Sequence, residues 1–463
     1  MSGLTRRLLV IGADAAGMSA ASQARRRRSR EELEILAFDR GNFASYSACG
    51  IPYFIGGQVS DVESLVVRTP EVFRDKYSIQ VHLGHEVVEV DLDRGALLVH
   101  DHARGQERWE GFDDLMVATG AVPVRPPLPG ADAPGVFGVQ TLDDGVALRS
   151  FVCDEKPRRA VIVGGGYVGL EMAEALCALG VETHLVDIAD QPMTTLDPDM
   201  GELVAGALRE FGTILHLGQE VSSFETAPDG RVSAVVTSEG VLPAEIVVLG
   251  LGVKPNAALA GSAGIRVGPS GAVAVDRRMR TSHPAVWAAG DCAEKRHRIS
   301  DRPVAVALGT HANKEGRVAG INIGGDYATF PGVIGTAVTK VGPLEVARTG
   351  LGEKEAAQAG FVVDAVVSQS TTRAGYYPGA TPITTKLVVE RGTGRLLGGQ
   401  IIGEEGAAKR IDAVALAVWN SMTVEELLGV DLGYAPPYSP VWDPVLIAAR
   451  KAHESSQAPD PPS

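Results

Sequence analysis

Cys49 is the residue whose setting first suggests covalent chemistry. It stands in Ser45-Tyr46-Ser47-Ala48-Cys49-Gly50-Ile51-Pro52-Tyr53, downstream of one glycine-rich turn and well upstream of a second. A solitary thiol can attack sulfur or be oxidised, provided it ionises, because the thiolate is the nucleophile. The other cysteines, Cys153, Cys177 and Cys292, make no C-x-x-C pair, so neither a disulfide framework nor a zinc site is expected. Cys177 and Cys292 read as buried small hydrophobes. The ten histidines show no H-x-x-x-H spacing, and no metal is expected.

The two turns are what must position the thiol. In the first, the apolar strand Leu8-Leu9-Val10-Ile11 runs into Gly12-Ala13-Asp14-Ala15-Ala16-Gly17, and a helix is expected from Met18 into the arginine run Arg25 to Arg28. Gly12 allows the tight turn and Gly17 close helix packing, but Asp14 takes the place of the second glycine, where a diphosphate would approach. A carboxylate is electrostatically awkward there. The strand Glu34-Ile35-Leu36-Ala37-Phe38-Asp39 restores the pattern, ending in an acid 22 residues past Gly17 that can accept from a ribose hydroxyl.

The second turn is complete. Ala160-Val161-Ile162-Val163 leads into Gly164-Gly165-Gly166-Tyr167-Val168-Gly169, a helix follows from Leu170 to Leu179, and the strand Thr183-His184-Leu185-Val186-Asp187 ends in an acid 18 residues beyond Gly169. A 2′-phosphate would call for a nearby cation, yet Ile188, Ala189 and Asp190 follow Asp187. NADH is therefore expected over NADPH.

A chain of 463 residues exceeds one ordinary core and implies two or three domains. With 45% hydrophobic and 22% charged residues and no long uncharged apolar run, it reads as a soluble globular protein, not a membrane one. A net charge of −14 and a pI near 5.3 argue against nucleic acid as a partner, although Arg25 to Arg28 offer a local site for phosphates. The sparse cysteines fit a reducing cytoplasm. Thr5-Arg6-Arg7-Leu8-Leu9-Val10 superficially looks like an export leader, but Asp14 interrupts its apolar run.

Three more segments, Met116-Val117-Ala118-Thr119-Gly120, Val248-Leu249-Gly250-Leu251-Gly252 and Val286-Trp287-Ala288-Ala289-Gly290-Asp291, follow in an order that resembles the pyridine nucleotide-disulfide oxidoreductases. The resemblance covers nearly the whole chain. It implies an α/β fold with two Rossmann-type dinucleotide-binding domains, for FAD and NAD, and a C-terminal α+β dimerisation domain. The expected parts are residues 1–149 and 253–330 for FAD, 150–252 for NAD(P)H, 331–453 for dimerisation, and 454–463 as a disordered tail. By the same resemblance, Gly12, Ala13, Ala16, Gly17, Asp39, Ser45, Ala118, Thr119, Gly120, Gly290 and Asp291 hold FAD, with Asp291 on the ribityl chain. Gly164, Gly166, Tyr167, Val168, Gly169, Glu171, Asp187 and Gly252 serve NADH, Tyr167 as a movable gate and Glu171 orienting the nicotinamide.

Phe54 selects the branch, since dithiol members carry a second cysteine five residues past the first. The chain is similar to single-cysteine enzymes: coenzyme A-disulfide reductase above all, with NADH oxidase, NADH peroxidase and persulfide reductases. Similarity extends through Ser22-Gln23-Ala24-Arg25-Arg26, Ala312-Asn313-Lys314-Glu315-Gly316-Arg317, Ala347-Arg348-Thr349-Gly350, Tyr376-Tyr377-Pro378-Gly379 and Tyr434-Ala435-Pro436-Pro437-Tyr438-Ser439. It implies that Ser22, Gln23, Arg26, Ser45 and Ala48 approach the substrate, and that Tyr434 with Tyr376 or Tyr377 reaches Cys49 of the partner subunit in a homodimer. Ala15 stands where the oxidases and peroxidases carry a catalytic histidine, and Ala48 where the coenzyme A-disulfide reductase often has asparagine. Persulfide reductases often carry an appended rhodanese domain, which this length does not accommodate; that weighs against persulfide chemistry. The expected activity is FAD-dependent NAD(P)H reduction of coenzyme A disulfide or a related small disulfide or persulfide, with coenzyme A bound as substrate or mixed disulfide. The alternatives are an NADH oxidase or peroxidase cycling through sulfenic acid, and a redox-responsive binding protein without useful turnover.

Overall fold

The computed structural model describes residues 5–457. The strand Arg6–Ile11 is buried from Leu8 to Ile11, the continuous apolar run that a central parallel strand covered on both faces requires. It pairs in parallel with Leu33–Asp39 on one side and Asp114–Val117 on the other. Gln80–Leu83 and Val286–Ala288 complete this first sheet at its edges. The late return of Val286–Ala288 matters most, because it delivers Gly290 and Asp291 to the carboxyl ends of the strands, beside Gly12.

The second sheet is also parallel, in the order Ile214–Leu217, Glu182–Asp187, Arg159–Val163, Ile246–Leu249, Val136–Gly138. Its last strand lies upstream of residue 150, so the nicotinamide unit begins earlier than expected. Three residues are too few to carry a periodic signal. Ala121–Pro123 and Val253–Pro255 pair antiparallel, so the outgoing and returning crossings between the sheets run side by side.

The third sheet is antiparallel: Ala337–Val341, Leu344–Gly350, Leu396–Gly403, Pro382–Glu390, Val363–Thr371. Helices Ala407–Trp419 and Pro444–Gln457 pack on it through a shared apolar core that includes Ile411, Val414, Val445 and Ala449. The α/β class with an α+β third unit is the architecture seen. The last helix runs four residues into the expected tail, through Gln457; the rest of that tail lies outside the described residues. No helix among the described residues is long and apolar enough to cross a membrane.

Both helices that follow the turns start earlier than the apolar pattern suggested, at Ala15 and Tyr167, because Asp14 and Gly166 are extended residues at their N-caps. Helix Ala15–Arg25 meets helix Gly309–Ile323 backbone to backbone. A Cβ added to Gly316 would lie 2.2 Å from the Ala16 carbonyl oxygen, and one added to Gly320 would lie 2.2 Å from that of Ala20. Overpacking of this kind costs about 1–3 kcal/mol. Gly316→Val is therefore expected to lower the melting temperature and the flavin retained on purification; a variant with wild-type values of both would show that this seam does not constrain the site.

Candidate redox site

The first turn is built by three strand ends meeting. Gly12 adopts φ +100°, and a Cβ there would fall 2.2 Å from the Ala118 oxygen. Gly17 closes on the same point, where a Cβ would lie 2.0 Å from the Gly12 oxygen. Asp39 secures the turn by accepting from the Ala13 and Gly41 amides at 2.8 Å each, which leaves lone pairs for ribose hydroxyls. Thr119 donates to the Asn256 carbonyl at 2.6 Å, and the Asn256 amide reaches the Gly120 oxygen at 3.0 Å.

Asp291 carries a telling orphan: its Oδ1 is buried without a hydrogen-bond partner. A buried acceptor left unpaired is costly, so a hydroxyl-bearing ligand in this cradle fits the residues present. Behind it lies a pair that sequence reading missed. Lys295, fully buried, donates to the Gly290 and Ala293 carbonyls at 2.8 and 2.9 Å. Its partner Glu315, 3.5 Å away, accepts from the Gly290 amide at 2.8 Å. Burial pushes the Glu315 carboxyl up to about 7 despite the lysine. Glu315 stood within a recognisable segment, but nothing in its spacing to Lys295 signalled contact.

Cys49 sits in a short turn of 3₁₀ helix, Ala48–Gly50, before the helix Ile51–Ile55. The loop leading to it is tied to the first turn: the Ser45 amide donates to the Ala13 oxygen at 2.9 Å, and the Tyr46 amide to Asp14 Oδ1 at 3.1 Å. Ser45 is left-handed at φ +48°, a backbone cost for a residue with a Cβ. Beyond the thiol, Arg149 clamps the short helix. Its guanidinium donates to the carbonyls of Phe54, Val59 and Ser60 and lies over the Phe54 ring at 4.4 Å. Phe54 is thus a buried structural anchor where dithiol enzymes keep a second sulfur, and all four cysteines are free.

Electrostatics around this thiol run against ionisation. Cys49 reaches the subunit surface, yet crowding by protein raises its pKa, helped by the carboxylates of Glu171, Asp291 and Asp14. The same crowding acts on the acids themselves. Desolvation lifts Asp14 to about 6, with Asp39 and Asp291 adding to it, and lifts Glu171 to about 7.

In the second turn Gly164 has φ +104°, and a Cβ on Gly169 would lie 1.9 Å from the Gly164 oxygen. Asp187 accepts from the Gly165 amide at 2.6 Å and the Ala189 amide at 2.8 Å, as Asp39 does in the first. Helix Tyr167–Ala178 begins at the turn, so Tyr167 and Glu171 fall one helical turn apart on its front, both half-buried. Val168 opens the same helix, and Gly252 sits at φ +81° in the returning crossing.

The remaining expected residues separate clearly. Within the arginine run, Arg25 donates to the Leu33 and Ser78 carbonyls, Arg27 pairs with Asp326 at 2.8 Å, and Arg28 donates to the Gly324 oxygen. Arg26 alone of the four is both exposed and without a hydrogen bond or ion pair from its side chain among the described residues. Ser22 lies one helical turn before Arg26 on the same face, while the Gln23 side-chain oxygen is taken by Arg27 at 2.8 Å. Ala48 is exposed beside Cys49. The side chains of Tyr376 and Tyr434 are exposed neighbours on the third unit, where Tyr434 raises the pKa of Tyr376, and Tyr377 is exposed next to Tyr376 in the chain. The acids Asp197, Asp199 and Glu353 also converge, but Lys386 fills their centre at 3.2, 2.6 and 2.5 Å.

Two dinucleotide cradles facing one unpaired thiol define a dinucleotide-dependent thiol oxidoreductase. Models of the pyridine nucleotide-disulphide oxidoreductase and of its dimerisation domain match residues 6–309 and 336–444, and the chain belongs to this family. It is 39% identical to the NAD(P)H coenzyme A polysulfide/persulfide reductase of Pyrococcus horikoshii, over 96% of this chain and 98% of that one. An NADH oxidase of Methanocaldococcus jannaschii is 34% identical, over 96% of this chain and 98% of its own length. The structure of an NAD-dependent persulfide reductase from A. fulgidus superposes with a TM-score of 0.93 and 37% identity, covering 97% of this chain and 83% of that one. The Pyrococcus match corrects one expectation: a relative named for persulfide reduction has nearly this length, so length is no argument against that chemistry.

A carboxyl raised in the folded chain holds its proton better there than in the unfolded chain. Its stabilising contribution is present at acid pH and is lost as pH rises through the folded pKa, here from the ordinary 3.8 to about 6. Asp14→Asn, neutral at every pH, is expected to melt above wild type in the FAD-free protein by a margin that widens between pH 4 and pH 7. A margin that stays constant across that range would contradict the environment described for Asp14.

Proposed function

We propose that the protein is an FAD-dependent NADH:disulfide or persulfide reductase acting on coenzyme A disulfide, or a related small disulfide or persulfide, through Cys49. The observation that carries this reading is a free thiol tied by Ser45 and Tyr46 to the first nucleotide turn, with buried Phe54 in place of a second sulfur. FAD would be held by Gly12, Ala13, Ala16, Gly17, Asp39, Ser45, Ala118, Thr119, Gly120, Gly290 and Asp291, and NADH by Gly164, Gly166, Val168, Gly169, Asp187 and Gly252. When bound, FAD supplies a two-electron acceptor for hydride and a donor for sulfur.

Cys49 attacks one sulfur of a disulfide RSSR as the thiolate, the S–S bond breaks, and RS⁻ leaves as Cys49–S–S–R forms. Two electrons from NADH then cleave that bond to the Cys49 thiolate and a second RS⁻, so RSSR, NADH and one proton yield two RSH and NAD⁺. Burial first, and then the chain's own carboxylates, disfavour the thiolate, and a hydrogen-bond donor would offset them. The Tyr376–Tyr434 pair can be that donor. In a homodimer it would face Cys49 of the other subunit and donate to a sulfur anion, with Tyr377 the alternative to Tyr376. Unpaired Arg26, with Ser22, Gln23, Ser45 and Ala48, would receive the phosphate-bearing end of a coenzyme A substrate. Tyr167 gates the nicotinamide face and Glu171 orients it.

Oxygen or peroxide as acceptor is the second reading, raised by the name of the oxidase relative but not favoured by it over the sulfur reductases of higher identity. Ala15 weighs against it, because an alanine side chain at the start of the first helix has no proton to give. NADH consumption with coenzyme A disulfide, polysulfide, peroxide and air separates them. At least one sulfur acceptor is expected to outpace oxygen about tenfold, and Cys49→Ser to lose about a hundredfold or more of the sulfur-dependent rate with flavin retained; faster turnover with air than with every sulfur acceptor would overturn the assignment. Ile188 is exposed beside Asp187, with no cation in the following residues. Asp187→Ala combined with Ile188→Arg is thus expected to move kcat/KM toward NADPH by about tenfold or more, and an unchanged preference would place ribose recognition elsewhere.

A further inference from the structure

We propose that Thr339 and Arg348, both on the antiparallel sheet of the third unit, are positioning residues that hold Glu171 and Tyr167 in front of the nicotinamide cradle. The inference rests on the reading of Tyr167 and Glu171 given above. The loop from Gln191 to Asp197 leaves the strand that ends in Asp187 and folds over the second turn, where the Met193 amide donates to the Gly165 oxygen at 2.8 Å. Met193 holds a left-handed φ of +54°, so this path needs support from outside.

That support comes from the third unit. The Thr195 side chain lies beside the Tyr167 hydroxyl and lowers its pKa against the burial that raises it, and the Thr195 carbonyl accepts from Arg348 Nη1 at 2.6 Å. Arg348 is buried, with its second nitrogen on the Gly350 oxygen at 2.8 Å and Glu355 at 2.7 Å, so the guanidinium has one available geometry. At the end of the loop, Asp197 exchanges hydrogen bonds with Gln400 at 3.0 and 2.7 Å and accepts from the Glu353 amide at 3.0 Å. Lys386 closes the joint among Asp197, Asp199 and Glu353. Each of these partners to the loop comes from the third unit.

Glu171 is held by the neighbouring strand. Thr339 donates to its Oε1 at 3.2 Å, and Lys340 pairs with Glu174 one turn further along at 2.9 Å. The groups that face Glu171 are Glu174 on its own helix, Thr339 and Lys340 on strand Ala337–Val341, and Cys49, Tyr53 and Tyr167. The Thr339 hydroxyl favours the carboxylate, against the burial that raises it. A Rossmann cradle needs no such sheet to bind a dinucleotide; what the sheet restrains is the pair of side chains that precede the hydride.

The test compares anaerobic flavin reduction by NADH with reoxidation by disulfide, together with hydrogen exchange of residues 191–197. Thr339→Val is expected to slow reduction about three- to tenfold and move its ionisation to higher pH, leaving reoxidation unchanged, with Thr339→Ser restoring both. Arg348→Lys is expected to speed exchange across 191–197 in the FAD-free chain and weaken NAD⁺ binding measured by calorimetry. An unchanged pH profile in Thr339→Val, equal slowing of both half-reactions, or unchanged exchange in Arg348→Lys overturns the inference. If Glu171→Gln itself leaves reduction by NADH unaltered, the reading beneath falls and the inference with it; a slowed Glu171→Gln beside an unaltered Thr339→Val overturns the inference alone.

Discussion

Contact between backbones, at points where no side chain fits, is what the rest of this molecule is arranged around. Gly12 touches Ala118, Gly17 touches Gly12, and Gly316 touches Ala16, each at a separation that a Cβ would destroy. These contacts join segments from the beginning, middle and end of the flavin unit, so the flavin cradle exists only when all of them have folded. The Lys295–Glu315 pair finishes the joint from inside. A buried ion pair of this sort is a poor source of net stability, since its desolvation offsets most of its attraction. Its value here is geometric: Lys295 takes the Gly290 carbonyl and Glu315 the Gly290 amide, which leaves Asp291 free to face the ligand.

The protein surrounds its thiol with negative charge, which is the reverse of the environment that makes a cysteine reactive. Asp14 and Asp291 lie on the flavin side and Glu171 on the nicotinamide side, and all three oppose the Cys49 thiolate. An anionic diphosphate bound in the same cradle would push Asp14 further toward its protonated form. A carboxyl in that form would donate a hydrogen bond where a carboxylate would repel, which would make the unusual residue in the first turn compatible with the ligand.

What could be read from the chain divides along a physical line. Segments in which one short stretch both forms the element and makes the contact were legible: the two turns, their acids Asp39 and Asp187, and the solitary Cys49; the α+β third unit followed from the family resemblance alone. Features that depend on distant segments were not. The strand Val136–Gly138 is too short to show a period and joins its sheet only through Ile246–Leu249. Three arginines of the run Arg25 to Arg28 proved to be ties to carbonyls or to Asp326 instead of open phosphate ligands, because the chain ends they cap are 8 to 299 residues away. Lys295 and Arg149 likewise carry no motif, since they donate to main-chain carbonyls and any sequence supplies those.

The division of labour among the three units explains why the third is more than a platform for pairing subunits. One edge of it exposes Tyr376, Tyr377, Tyr434, Tyr438 and Trp442, a set of large side chains left uncovered in one subunit. Its opposite contribution is internal, where Thr339, Arg348, Lys386 and Gln400 grip the nicotinamide unit. Thr339, Arg348, Lys386 and Gln400 stand on four strands of one hydrogen-bonded sheet, whereas the exposed aromatic side chains stand on loops of the same unit. The third unit thus meets the second through a set of buried and half-buried polar grips, while its large aromatic side chains face outward.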